Sequence, residues 1–109
     1  MKPAVLRPQA EQDLIDITRW YAEQGGSTLA RRAFDNARKA LVAVERMPGL
    51  GSPAIGETCG LSGLRHWGVE KFPLRWYYFE RDGQLDVVRL LGERQDIAAL
   101  LAEPDATGT

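Results

Sequence analysis

The stretch from residue 64 to residue 96, LRHWGVEKFPLRWYYFERDGQLDVVRLLGERQD, constrains the fold of this chain more than any other. It contains three apolar-rich runs with the composition of half-buried strands, at Leu64 to Val69, Leu74 to Glu80 and Leu85 to Leu91. Asp82-Gly83 separates the last two runs, and this dipeptide favours a tight hairpin turn because glycine tolerates positive φ. We therefore predict three consecutive antiparallel strands.

A pair of amphipathic helices is predicted before these strands. After a short apolar run at Ala4 to Leu6, which we interpret as a first strand, Pro8 suits the first turn of a helix. Apolar residues then recur at helical spacing until Gly25-Gly26 ends the first helix. Ser27 can cap a second helix that Pro48 ends, and the two-glycine joint makes the pair an antiparallel hairpin.

The remaining segments complete an α+β fold. Residues 48–63, PGLGSPAIGETCGLSG, are rich in Gly, Pro and Ser and are predicted to form an irregular loop. Asp96 to Leu101 is predicted to add one or two helical turns. The order is β-α-α-β-β-β, with an antiparallel sheet packed against the helical hairpin. We expect one domain at residues 1–102 and a flexible, acidic tail at residues 103–109.

Composition argues against several classes of function. The net charge is −1, from 14 Lys+Arg and 15 Asp+Glu, so direct nucleic-acid binding through bulk positive charge is not expected. We find no secretory leader and no apolar run that could span a bilayer, so we expect a cytoplasmic protein without a membrane partner. One cysteine and one histidine fall short of a zinc site, and no nucleotide-binding motif is present. We therefore expect no metal and no cofactor.

No catalytic residue is assigned from the sequence. Cys59 and His66 are the single cysteine and histidine, and we interpret their co-occurrence as incidental. The acidic residues of the first helix are interpreted as a solvated face, and they are Glu11, Asp13, Asp16 and Glu23.

Cationic side chains interleaved with aromatic ones are the main candidates for function. We predict that five of them bind a target or an anion: Arg65, Lys71, Arg75, Arg89 and Arg94. Strict alternation puts Arg89 on the same largely apolar side of its strand as Leu85, Val87 and Leu91. An unpaired guanidinium there would be costly. Arg89 therefore needs an ion pair with Asp96 or a first-helix acid, an array of carbonyl groups, or a bound anion.

Aromatic residues of the strands divide between core and surface. Trp67, Trp76 and Tyr77 have rings that could stack on a ligand or receive an apolar helix of a partner. Trp76 and Tyr78 share one side of their strand, and we predict that both belong to the core.

Several segments, taken in order, resemble one known family. They are the opening strand, the pattern Ala10-Glu11-x-Asp13-Leu14-x-x-Ile17 with Trp20-Tyr21, the turn PGLGSP at 48–53, Gly63-Leu64-Arg65, Phe72-Pro73-Leu74 with Trp76-Tyr77-Tyr78, and Val88-Arg89-Leu90-Leu91 followed by Arg94 and Asp96. The chain resembles the ParE branch of the RelE/ParE superfamily, the toxin halves of bacterial type II toxin–antitoxin (plasmid stabilisation) pairs.

This resemblance implies a sheet crossed by a helical hairpin, and neutralisation by a cognate ParD-like antitoxin in a toxin–antitoxin hetero-oligomer. It also implies a target, because ParE-like members inhibit DNA gyrase whereas RelE-like members cut mRNA on the ribosome. As candidates for antitoxin binding we single out Trp20, Tyr21, Trp67 and Tyr77.

The end of the last strand favours the gyrase-directed branch. Many relatives carry a histidine there, but Gly92 follows Leu91 in this chain. Cleavage by a ribose 2′-hydroxyl needs a proton acceptor and a donor, and arginines stay protonated. We expect inhibition by binding. The alternative is an mRNA interferase in which His66 or a tyrosine moves the proton while Arg65, Lys71, Arg89 and Arg94 hold phosphates.

Overall fold

The computed structural model describes residues 1–102, so the tail predicted at residues 103–109 lies outside the described part of the chain. Its elements follow the predicted order with two short helices added. They are β1 (Ala4–Leu6), α1 (Pro8–Arg46), a 3₁₀ turn (Pro48–Leu50), α2 (Ala54–Cys59), β2 (Leu64–Gly68), β3 (Leu74–Glu80), β4 (Leu85–Gly92) and α3 (Ile97–Leu101).

Helix α1 is a hairpin of two helical halves. Its backbone leaves the helical conformation at Gly25 (φ −145°, ψ 15°) and Gly26 (φ 81°, ψ −175°). The second conformation is essentially restricted to glycine. Beyond the break the chain folds back, so that Leu14 of the first half and Leu41 of the second line the same surface groove. The predicted antiparallel hairpin is confirmed.

The four strands form one sheet in the order β1-β4-β3-β2. Neighbours are antiparallel except for β1, which runs parallel to β4 and pairs with it from Leu85 to Val87. The predicted strand at Leu74–Glu80 has the observed bounds of β3. The α+β class and the three-stranded antiparallel meander are therefore confirmed.

Both faces of the sheet are covered, each by its own apolar core. The α1 hairpin packs on one face against Leu74, Trp76 and Tyr78, and the Trp76 indole donates a 2.9 Å hydrogen bond to the Ala37 carbonyl. On the opposite face, which we call the back face, Tyr77 packs with residues that include Leu64, Val88, Leu91 and Leu101. Trp76 and Tyr78 are fully buried, as predicted.

The prediction of an irregular loop over residues 48–63 is wrong, because α2 lies within it. Gly56 is buried so closely against the carbonyl oxygens of Leu61 and Leu64 that a side chain would collide with them. Gly60 then ends the helix in the left-handed conformation, with φ 71°. Contact with β2 therefore stabilises a helix whose composition alone does not favour it.

Strict alternation along β4 is also wrong. Tyr78 pairs with Val87 and Tyr77 pairs with Arg89, so Val88 is an extra residue that forms a β-bulge. Beyond this bulge the side chains of Leu90 and Leu91 lie on the faces opposite to those that strict alternation predicts. Leu90 therefore packs with Val87 in the core beneath α1, while Leu91 packs in the back-face core.

None of the helices in the described part of the chain is long and apolar enough to cross a membrane.

Candidate partner-binding groove

Two tight turns meet at one end of the sheet and create a concave surface. The turn before β3 and the turn after β4 are joined by a 2.9 Å hydrogen bond from the Glu93 amide to the Pro73 carbonyl. Gly92 donates its amide to the side-chain oxygen of Gln95 at 2.6 Å, which fixes the second turn. Lys71 lies in the first turn, and its φ of 68° makes it the one residue other than glycine with a positive φ in the described chain.

Aromatic side chains of the first half of α1 form one wall of this surface. Trp20 contacts Tyr21 edge-to-face at 5.0 Å between ring centroids, and Tyr21 contacts Phe72 in the same way at 5.1 Å. Trp20 nevertheless remains 54% exposed. Burial raises the pKa of the Tyr21 phenol, so this ring keeps its proton at neutral pH.

We call the resulting cavity of about 520 Å³ the aromatic groove. Its lining is largely apolar and comes from α1 and from the two turns: Asp16, Ile17, Trp20, Tyr21, Pro73, Leu74, Gly92 and Gln95. Lys71 and Arg94 are exposed in the turns that supply this lining. The groove therefore combines an apolar floor with cationic turns, which suits an amphipathic segment of a partner.

The other predicted cations lie elsewhere. Arg65 is half-buried and donates to the Gly51 carbonyl at 2.6 Å. Arg75 contacts Glu93 at 3.4 Å, with both side chains well exposed. Arg89 is buried and donates to both carboxylate oxygens of Asp13, at 2.8 and 3.0 Å. Of the explanations left open for Arg89, the structure thus has the ion pair with a first-helix acid.

That ion pair corrects the interpretation of Asp13. Asp13 is 8% exposed and does not belong to a solvated face. It also accepts the Leu90 amide at 3.0 Å. The sequence carried a signal for this, because Asp13 shares the helical stripe of Ala10, Leu14 and Ile17, which pack on the core.

The four candidate residues for antitoxin binding lie at three different places in the structure. Trp20 and Tyr21 line the aromatic groove. Trp67 is half-buried and lines a different groove of about 380 Å³ between the second half of α1 and the end of β2. Tyr77 is 1% exposed in the back-face core, so its ring is not displayed to a partner. Pro73, Leu74 and Gln95 are not predicted as site residues from the sequence, and Gly92 enters the sequence analysis only as the residue in place of a histidine. Only the meeting of two distant turns makes these residues neighbours.

His66 lies on the back face with three other polar side chains. His66 of β2 lies opposite Tyr77 of β3, and the centroids of the two rings are 6.0 Å apart. Burial and, secondarily, the positive charge of Arg75 lower the pKa of His66. Burial raises the pKa of Tyr77, and Arg75 opposes this rise. We call His66, Arg75, Tyr77 and Glu93 the back-face cluster.

Within residues 1–102, no three His, Cys, Asp or Glu side chains come together in a way that could hold a metal ion.

The comparisons with known proteins agree with this fold. Residues 4–97 match the family model described as the ParE toxin of the type II toxin-antitoxin system, parDE. Among solved structures, the chain is similar to one titled "Chromosomal ParDE TA system from P. aeruginosa", with a TM-score of 0.72 and 17% sequence identity over 84% of this chain and 96% of that one. A comparison with curated protein sequences found no match.

These findings define the class as a toxin of a type II toxin–antitoxin system. The chain belongs to the ParE toxin family, and the resemblance stated from the sequence is confirmed.

Proposed function

We propose that this ParE-family toxin inhibits DNA gyrase by binding it in the bacterial cytoplasm, and that a ParD-like antitoxin neutralises it in a hetero-oligomer. The observation that carries the proposal is Trp20, a half-exposed indole on the wall of a largely apolar groove of about 520 Å³. Large exposed aromatic side chains beside apolar cavities are typical energetic centres of protein interfaces.

The charges around the groove favour an acidic amphipathic segment as its occupant. Lys71 and Arg94 lie exposed in the two turns that form the groove, while the floor at Ile17 and Leu74 is apolar. A partner helix or extended segment would bury its apolar side chains on this floor and place carboxylates beside the cations. We propose that the antitoxin and gyrase present such segments in turn, so that occupancy by one excludes the other.

The groove is better suited to binding than to cleavage. Among its lining residues, the ionisable side chains are Asp16 and Tyr21. Burial raises the pKa of Tyr21, which makes this phenol a poor proton acceptor at neutral pH. Gly92 ends β4 with its amide bound to Gln95, at the position where the nucleolytic relatives are expected to carry histidine.

The proposal is tested by adding the purified chain to a DNA supercoiling assay with gyrase and, in parallel, to translating ribosomes. We expect loss of supercoiling without cuts in the transcript. Trp20→Ala should relieve the inhibition, whereas Ile15→Ala, which removes an exposed apolar side chain of the same helix outside the groove lining, should not. Undisturbed supercoiling at saturating toxin contradicts the proposed target.

A second candidate function, mRNA cleavage, is favoured by one observation. The lowered pKa of His66 leaves its imidazole neutral at pH 7, beside Arg75 and Tyr77, so a possible proton acceptor lies near a cation. Transcript cuts at the ribosomal A site that disappear in His66→Ala would support this candidate and overturn inhibition by binding alone.

A further inference from the structure

Gln95 is held by two hydrogen bonds to a single residue, Gly92. Its backbone amide donates to the Gly92 carbonyl at 3.2 Å, and its side-chain Oε1 accepts the Gly92 amide at 2.6 Å. The two bonds close a ring in the turn after β4, so the Gln95 side chain keeps one orientation on the lining of the aromatic groove. A side chain that is ordered before a partner arrives loses less conformational entropy when it binds.

The Gly92 amide also decides which end of the Gln95 carboxamide remains for a partner. An N–H group can only donate, so the atom that faces it is the oxygen, and Nε2 lies on the other side of the carboxamide. This nitrogen has two N–H donors, and no group within the described residues 1–102 accepts a hydrogen bond from it. Gln95 is exposed on the groove. The free chain therefore displays a neutral, oriented donor there.

Glycine at position 92 makes room for this arrangement. A Cβ built on Gly92 would lie 3.3 Å from the Gln95 Oε1 and 3.8 Å from the Pro73 carbonyl oxygen. The first distance is shorter than an ordinary van der Waals contact, so a larger residue at position 92 would displace the carboxamide. Gly92 and Gln95 therefore act as a pair.

A neutral donor on the lining complements the cations in the two turns. The carboxylates of an acidic segment are matched by Lys71 and Arg94, which lie exposed in those turns. The main chain of the same segment also brings carbonyl groups, and burying a carbonyl without a donor weakens binding. Carbonyls in the middle of a helix are already paired, whereas those of an extended segment or of the last helical turn are not.

We propose that Gln95 is a specificity-determining residue of the aromatic groove, whose Nε2 donates to an unpaired main-chain carbonyl of the antitoxin segment. The segment is therefore extended, or reaches its last helical turn, where it passes Gln95. This inference rests on the function proposed above, because it takes the antitoxin as an occupant of the groove.

Gln95→Glu tests this role without removing the bond that holds the turn. The new side chain keeps an oxygen for the Gly92 amide, but a second acceptor replaces Nε2 and faces the carbonyl oxygen of the partner. Calorimetric titration of the full chain with the purified cognate antitoxin should show a rise of about tenfold in the Kd. Gln84→Glu, which adds the same charge in the exposed turn between β3 and β4, should leave the Kd unchanged.

Salt separates the lost hydrogen bond from simple repulsion between two negative charges. At about 1 M salt the Debye length falls to about 3 Å, so charge repulsion is largely screened. The Kd of Gln95→Glu should still exceed that of the unchanged chain by about tenfold at this salt concentration. Equal Kd values at high salt would mean that Gln95 meets a carboxylate or senses only the charge of the partner, which would overturn the assignment to a main-chain carbonyl.

Hydrogen exchange of the Gly92 amide separates recognition from a purely structural role of Gln95. Gln95→Glu should keep this amide protected, because its acceptor remains. Gln95→Ala should expose the amide and also raise the Kd, and Gly92→Ala should raise the Kd because its Cβ displaces the carboxamide. If Gln95→Ala exposes the amide but leaves the Kd unchanged, Gln95 only holds the turn and the inference fails.

Trp20→Ala distinguishes a failure of this inference from a failure of the proposed function. If Trp20→Ala weakens antitoxin binding and Gln95→Glu does not, the groove is the binding site but Gln95 does not read the partner's main chain. If neither variant changes the Kd, the antitoxin binds elsewhere and both proposals are contradicted.

Discussion

Asp13 and Arg89 form a buried ion pair that joins the first half of α1 to β4. The Arg89 guanidinium donates through Nε and one terminal nitrogen to the two carboxylate oxygens, and the Leu90 amide donates to the same carboxylate. Strand β1 pairs with β4 as far as Val87. Asp13 therefore accepts a backbone amide at the part of the β4 edge that β1 does not reach, and the pair holds the helix on the sheet beside the aromatic groove.

Removing one partner of this pair should destabilise the fold strongly. Asp13→Ala leaves the Arg89 charge buried without its carboxylate, and we expect a loss of about 3–5 kcal/mol in the free energy of unfolding. Asp13→Leu combined with Arg89→Met should lose less than Asp13→Ala, because no buried charge is left behind. Urea denaturation measures both. Asp16→Asn, at an exposed acid of the same helix, is the control, and an equal loss in Asp13→Ala and Asp16→Asn would contradict the account.

This ion pair also shows which features of the fold can be predicted from the sequence. An arginine within an apolar strand predicts a buried acidic partner, and the helical stripe contains Asp13, but the bulge at Val88, which sets Arg89 opposite Tyr77, was not predicted. A bulge is a property of the pairing between two strands and has no signature in the local alternation. The hairpin, the glycine break and the bounds of β3 depend on local signals, and those predictions are confirmed.

The aromatic groove could be predicted only in part. Trp20 and Tyr21 were singled out from the sequence, and so were Lys71 and Arg94 as separate candidates. Their proximity depends on the hydrogen bond between Glu93 and Pro73, which joins turns that the sequence does not relate. A short helix such as α2 is missed for a similar reason, since its stability comes from contact with β2.

Gly51 should tolerate no side chain. Its amide donates to the Tyr78 hydroxyl at 3.0 Å, and that hydroxyl donates to the Pro48 carbonyl at 2.6 Å. A Cβ at Gly51 would collide with the Tyr78 hydroxyl. We expect Gly51→Ala to lower the free energy of unfolding by about 1–3 kcal/mol through overpacking and the loss of these bonds.

Gly49→Ala is the matched control for this substitution, because nothing lies within 4 Å of the position that its Cβ would take. Denaturant titration of the two variants should show a midpoint near that of the unchanged chain for Gly49→Ala and a clearly lower one for Gly51→Ala. Equal midpoints would show that the buried Tyr78 hydroxyl does not hold this turn.

Trp20→Ala should impair binding while leaving the fold intact. Because Trp20 is 54% exposed, its removal should change the free energy of unfolding by less than about 1 kcal/mol. As an interface centre it should contribute about 2 kcal/mol, which corresponds to a rise of about 30-fold in the Kd for the antitoxin. Calorimetric titration of both variants should show no such loss for Ile15→Ala. Unchanged affinity in Trp20→Ala would remove the groove from the antitoxin interface.

Asp86 should make the stability of the fold sensitive to acid. Arg7 donates two hydrogen bonds to its carboxylate, at 2.9 and 2.8 Å, and Arg81 donates a third at 3.3 Å. The bonds from Arg7 are the main cause that lowers the pKa of Asp86 below its ordinary value of 3.8, and they outweigh burial, which raises it. A lowered pKa in the folded state stabilises the fold above the ordinary value, and this stabilisation is lost as the pH falls below it.

Asp86→Asn should therefore lose about 2 kcal/mol at pH 7 and show a smaller further loss between about pH 4 and pH 2 than the unchanged chain. Thermal unfolding across this pH range measures the difference. Asp82→Asn, in the exposed turn between β3 and β4, should keep the original pH dependence. Identical acid profiles for Asp86→Asn and the unchanged chain would assign the sensitivity to other carboxylates.

The claim that one groove receives both gyrase and the antitoxin is tested most directly by competition. The chain is first bound to gyrase, the antitoxin is added in increasing amounts, and the composition of each complex is measured by size-exclusion chromatography. We predict that the antitoxin releases the chain from gyrase and that no complex contains all three proteins. A stable complex that retains gyrase, the chain and the antitoxin together would contradict a shared groove.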